Sequence, residues 1–163
     1  LYIAVLFPDM KILMVCLGNI CRSPLAEGIL RHKCGQRGLD WHIDSAGTGK
    51  WHIGSAPDKR SIQIAAKNNI DISGQRARSI HSSDYEQFDI IFAMDTNNYR
   101  DIMHWALDKQ EEAKVKLILE EIYPGEKRSV PDPYFDDNGF QQVFDMLDKA
   151  CDKIIEKYGK QRL

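Results

Sequence analysis

The sequence predicts an α/β protein: a single domain with a central four-stranded parallel sheet, flanked by helices on both faces, and a ligand loop after the first strand. Three observations carry that reading. Short apolar runs alternate with segments of helical period along the chain, the signature of strand–helix–strand units. The first run, KILMVC at residues 11–16, is almost wholly apolar, as a strand covered on both faces must be. It ends in a glycine-containing turn that opens straight into a helical pattern, and such sheets hold their ligands beyond the carboxyl ends of the strands.

The elements follow in order. After the turn, Ser23 and Pro24 read as an N-cap and a proline at the first helical position, and Leu25, Ala26, Ile29, Leu30 and Cys34 mark one helical face. Residues 41–46 (WHIDSA) alternate as a strand does, and Gly47 and Gly49 break it. Pro57 opens a helix through Asn68 with Ile62, Ala65 and Ala66 turned inward. Residues 88–93 (FDIIFA) give the third strand, and Asp95 caps a helix that buries Tyr99, Ile102, Met103 and Ala106. Residues 115–119 form the fourth strand. Residues 123–138 are rich in proline, glycine and charge and form a surface loop long enough to carry function. A helix over residues 139–158 closes the fold, with Val143, Phe144, Leu147, Cys151, Ile154, Ile155 and Tyr158 on a 3.6-residue period.

Composition narrows the function. The 163 residues carry 22 basic and 24 acidic side chains, a formal net charge of −2, so the overall field gives no pull toward nucleic acid. The apolar runs are far short of the roughly 20 residues a membrane helix needs, so no membrane role is expected. The four cysteines, Cys16, Cys21, Cys34 and Cys151, are too few for a disulfide scaffold and fit a reducing, cytoplasmic setting. The opening LYIAVLFPDM lacks the basic start of a signal peptide. Residues 1–9 are expected to be a dispensable extension to a domain spanning residues 10–163.

The most informative stretch is CLGNICRSP, residues 16–24. A cysteine at a strand end, five residues, then arginine and serine at a helix start wrap backbone N–H groups around one point that faces the helix dipole. This is a phosphate or oxyanion cradle built from Leu17, Gly18, Asn19, Ile20, Cys21 and Ser23. Gly18 and Asn19 tolerate the backbone such a ring requires, and Arg22 adds a planar fork that grips two phosphate oxygens. The same positive environment stabilises a thiolate at Cys16, with Ser23 placed to donate to the sulfur. Cys21, in the same loop, can trap an oxidised Cys16 as a disulfide. In the late loop, Pro131 and Pro133 stiffen the backbone around Asp132, which lets a carboxyl group be held in place instead of drifting.

These residues resemble the low molecular weight protein tyrosine phosphatases, whose near-N-terminal C-x-G-N-x-C-R-S-P signature is met at every fixed position. The likeness runs from about Met10 to the C-terminus and includes the late D-P-Y. It implies that Asp132 is the general acid, that Cys16 and Arg22 complete the catalytic set, and that Trp51 and Tyr134 flank the pocket mouth against a phosphotyrosine-containing protein substrate. It implies no metal and no cofactor, and none of His32, His42, His52, His81 or His104 has a ligand-like spacing. A related branch that acts on phosphoarginine has threonine where this chain has Ile20. An arsenate-reducing branch needs further cysteines near mid-chain, and none lies between Cys34 and Cys151. The remaining alternative is a catalytically idle phosphate-binding or redox-sensing module, against which the intact Cys16, Arg22 and Asp132 count.

Overall fold

The computed structural model describes residues 9–160. Four parallel strands, β1 (Lys11–Cys16), β2 (His42–Gly47), β3 (Ile90–Ala93) and β4 (Val115–Leu117), form one sheet in the order β2-β1-β3-β4. The helices are α1 (Arg22–Arg37), α2 (Lys59–Lys67), α3 (Asp84–Gln87), α4 (Thr96–Trp105), α5 (Lys109–Glu112) and α6 (Phe140–Tyr158), with a 3-10 turn at Ile118–Glu121.

β1 lies inside the sheet, pairing Ile12 with both Ile43 and Ile90, so both its faces need cover. Because side chains alternate along a strand, Ile12, Met14 and Cys16 enter a large core with α1, α2 and α6. Leu13 and Val15 enter a smaller one with Tyr85, Phe88 and Ile102. Truncating a fully buried residue such as Leu13 to alanine would cost about 2–5 kcal/mol. Since all strands point the same way, the ends of β1, β2 and β3 share one edge, and the Val130 N–H binds the Met94 carbonyl at 2.8 Å there. That bond brings the late proline-rich loop to the mouth of the first one.

The expected class, strand number and two-sided packing are all present, with local differences. Ser23 is not the N-cap. α1 starts at Arg22 after Cys21, without a side-chain cap bond, because the Ser23 hydroxyl is drawn to the Cys16 sulfur instead. α2 begins at Lys59 with Asp58 as its N-cap, and it buries Ser61, Ile64 and Ala65 while Ala66 is exposed. Its apolar stripe is therefore rotated from the expected one. β3 and β4 are shorter than the apolar runs that contain them, and Ile118 and Leu119 turn into the 3-10 segment. α3 and α5, a turn or so each, fall below the length at which periodicity is visible. Residues 1–8 of the expected extension lie outside the described residues; the Met10 carbonyl already accepts the His42 N–H at 2.8 Å.

Candidate active site

Four carbonyls of the loop from Cys16 to Arg22 are bound by groups outside it. The Cys16 and Leu17 carbonyls accept the N–H groups of Thr48 (2.9 Å) and Gly49 (2.8 Å), and that of Ile20 accepts Asp58 N–H (2.8 Å). The Cys21 carbonyl accepts the Ser61 hydroxyl at 3.2 Å. These four loop oxygens are thus satisfied from outside the loop. Asn19 sits at φ 56°, the left-handed conformation asparagine tolerates. A Cβ on Gly47 would lie 2.7 Å from the Leu17 carbonyl oxygen, so only glycine lets β2 end against the loop.

Side chains lock the ring. Cys16 is buried, with its Sγ 3.0 Å from Ser23 Oγ. Asn19 Nδ2 donates to Ser23 Oγ at 2.8 Å and to Ser45 Oγ at 3.0 Å, while Asn19 Oδ1 accepts the Arg78 N–H at 3.0 Å. Asn19 fills an acceptor site on Ser23, whose hydroxyl has the Cys16 sulfur at 3.0 Å and the Ala46 carbonyl at 3.5 Å within reach. Ser45 in turn donates to Glu27 Oε1 at 2.8 Å, and Glu27 is paired with Arg31 at 3.0 Å. Burial holds the Glu27 carboxyl above the usual range, opposed by Ser45 and Arg31. Ser45, Glu27 and the second role of Asn19 escape a sequence reading, since each pairs with residues distant in the chain.

Arg22 is 2% exposed, yet charged. Its Nη1 binds Asp95 Oδ2 at 2.7 Å and the Val130 carbonyl at 3.0 Å, and Nη2 lies 3.6 Å from Asp132 Oδ2. Burial alone would lower its affinity for the proton. The facing Cys16 and Asp95 overcome that and raise it above the ordinary value. Cys21 behaves in the opposite sense for a nucleophile. Burial first, then Asp58, Cys16 and Asp132, push its thiol up to about 12 against a smaller pull from Arg60, so it stays neutral at physiological pH.

The loop floors a cleft of about 220 Å³ lined by Cys16, Leu17, Gly18, Ile20, Cys21, Arg22, Trp51, His52, Asp132, Tyr134 and Phe135. Of the residues singled out from sequence, Asn19 and Ser23 lie behind this lining, buried in the bonds just described. Asp132 reaches the cleft from the late loop, half-exposed, with Oδ1 accepting the Tyr134 N–H at 3.1 Å. Trp51 is 75% exposed and stands over Gly49, while Tyr134 meets Phe135 edge-on at 4.8 Å. His52 is a lining residue that no sequence pattern marks; its ring packs beside Gly18 and 6.4 Å from that of Tyr134.

A parallel α/β sheet with a cysteine-and-arginine anion loop at its first strand end defines a class of proteins built to hold a tetrahedral oxyanion against a thiol. The sequence matches the low molecular weight phosphotyrosine protein phosphatase family over residues 11–163. A low molecular weight phosphotyrosine protein phosphatase of Schizosaccharomyces pombe is 43% identical over 78% of this chain and 82% of its own. The fold superposes with a TM-score of 0.86 on a protein tyrosine phosphatase from Entamoeba histolytica, 35% identical over 95% of this chain and 99% of that one. A Drosophila arginine phosphatase gives the same score, at 35% identity over 93% and 99%. The chain belongs to the low molecular weight phosphotyrosine protein phosphatase family.

Proposed function

We propose that this protein hydrolyses phosphotyrosine on protein substrates, and small aryl phosphates, through a cysteinyl-phosphate intermediate. The observation that carries the reading is the convergence of Cys16, Arg22 and Asp132 on one cleft. In the first step the Cys16 sulfur attacks phosphorus, the bond to the phenolic oxygen breaks, and Asp132 gives that oxygen its proton. Water then attacks the thiophosphate, Asp132 takes its proton, and phosphate leaves. The loop N–H groups and Arg22 hold the equatorial oxygens through both steps, so positioning and charge supply most of the rate. The Ser23 hydroxyl, 3.0 Å from the sulfur, stabilises the thiolate both as attacking and as leaving group. Both steps run on side chains and backbone of this chain together with water.

The aromatic lining of the cleft favours an aryl substrate. Trp51 and Tyr134 stand on its rim and offer ring faces to a phenyl group. The likeness to an arginine phosphatase makes phosphoarginine the competing substrate. Ile20, buried and in the lining, supports the tyrosine reading: an apolar side chain meets an aromatic ring better than a guanidinium. A reducing, cytoplasmic compartment suits an enzyme that depends on a free thiolate.

The test is the first-step rate for aryl phosphates of graded leaving-group basicity, in wild type and in Asp132→Ala. Asp132→Ala should lower the rate on phosphotyrosine more than on p-nitrophenyl phosphate, because nitrophenolate leaves tolerably unaided. The mutant must therefore depend more steeply on leaving-group basicity. Parallel lines would reduce Asp132 to a turn residue, with Asp136 and Asp137 next in line for the acid.

A further inference from the structure

The acid loop needs something to hold it over the cradle. Among the described residues, the direct tie between Arg22 and Asp132 is a 3.6 Å ion pair whose carboxylate is half-exposed. Arg60 supplies another anchor. Its Nε and Nη2 grip the two oxygens of Asp58 at 2.9 and 2.8 Å. Nη2 also donates to the Tyr134 carbonyl at 3.0 Å, and Nη1 binds Asp137 at 2.6 Å. The guanidinium stacks 4.6 Å above the Phe140 ring. One end of this clamp is fixed to the cradle, since the Asp58 N–H binds the Ile20 carbonyl. The other end is fixed to the acid: Arg60 holds the carbonyl of Tyr134, and the N–H of the same residue binds Asp132 Oδ1 at 3.1 Å. A single exposed ion pair is worth little. A planar fork with two carboxylates, a carbonyl and a ring face is a geometric constraint, and lysine cannot reproduce it.

We propose that Arg60 is a positioning residue that couples the cradle to the acid loop and sets the aim of the Asp132 carboxyl during protonation of the leaving group. The proposal rests on the reading of Asp132 as the acid. Misaiming a catalytic group by an ångström is enough for large losses, so Arg60→Ala should behave as a partial Asp132→Ala.

The experiment measures first-step rates over the graded aryl phosphates for wild type, Arg60→Ala, Arg60→Lys, Asp132→Ala and Arg60→Ala/Asp132→Ala. Inhibition by inorganic phosphate and thermal melting are followed in parallel. Arg60→Ala should lose about tenfold on phosphotyrosine and much less on p-nitrophenyl phosphate, steepening the slope toward that of Asp132→Ala. Phosphate inhibition should stay within about twofold, because the cradle is intact, and the double variant should lose no more than Asp132→Ala alone. Arg60→Lys keeps the charge and loses the fork; it should share the steeper slope, and it carries the same comparison if the alanine variant does not fold. An equal loss on every substrate, or additive losses in the double variant, would overturn the proposal. A slope in Asp132→Ala parallel to that of wild type would instead refute the assignment of the acid itself, so the two failures are distinguishable.

Discussion

Asp95 binds Arg22 at 2.7 Å through Oδ2 while its other oxygen accepts the Asn98 N–H at 2.7 Å. One carboxylate thus starts α4 and fixes the Arg22 guanidinium. The two tasks separate by substitution. Asparagine still caps a helix, whereas alanine does not, so Asp95→Asn should be more stable than Asp95→Ala by about 1 kcal/mol. Both lose the charged anchor of a buried guanidinium, and both should drop in kcat by about tenfold or more. Urea unfolding and steady-state kinetics on the two variants check this. Full activity in Asp95→Asn would make the carboxylate a cap and nothing else.

The thiol of Cys21, pushed up to about 12 by burial, Asp58, Cys16 and Asp132, is neutral below that pH and therefore a poor nucleophile. Iodoacetate at neutral pH should label Cys16 alone, and inorganic phosphate should protect it. Peptide mapping of the alkylated protein reads the outcome; label on Cys21 ahead of Cys16 would invert the assignment.

The same neutral thiol lines the cleft with Cys16, and its condensation with a Cys16 sulfenic acid would release water and leave a disulfide. Mild peroxide should then inactivate wild type reversibly, while Cys21→Ser should be inactivated with far poorer recovery by dithiothreitol. Equal recovery would remove Cys21 from the protective chemistry.

Glu27 gives a stability prediction with a definite sign. Its carboxyl is held above the usual range, mainly by burial, so the folded protein holds this proton more tightly than the unfolded chain. The resulting stabilisation is complete below the unfolded value of about 4.3 and is lost as pH rises through the folded value. Glu27→Gln removes that loss. Relative to wild type, its unfolding free energy should improve from about pH 4 to about pH 7 in urea titrations. A relative decline over that range would mean that the pairing with Ser45 and Arg31 outweighs burial.

These residues also mark what a sequence reading can reach. The cradle is legible because its parts are adjacent in the chain: residues 16–24 hold the thiol, the special backbone positions, the arginine and the helix start together. The strands are legible for the same local reason, since β1 is apolar throughout and buried throughout after Lys11. Asp132 is visible as a stiffened aspartate, but its place beside Arg22 spans most of the chain and follows only from the resemblance. Asp95 reads as a cap, correctly and incompletely, because capping is a rule about neighbours and its bond to Arg22 crosses 73 positions. Ser23 reads as a cap and is not one: serine before proline satisfies that rule anywhere, and nothing local reveals a sulfur 3.0 Å away. Arg60 and Glu27 look like ordinary surface charges on helices until their partners are in view.

Everything proposed for this site depends on phosphate passing through the Cys16 sulfur. Rapid acid quench of the enzyme mixed with a radiolabelled phosphotyrosine peptide, followed by peptide mapping, puts that to the test. A burst of tyrosine release should be matched by label on the peptide carrying Cys16, with both absent in Cys16→Ser although that variant still binds phosphate. Label on any other residue, or a burst that survives Cys16→Ser, would rule the cysteinyl-phosphate route out.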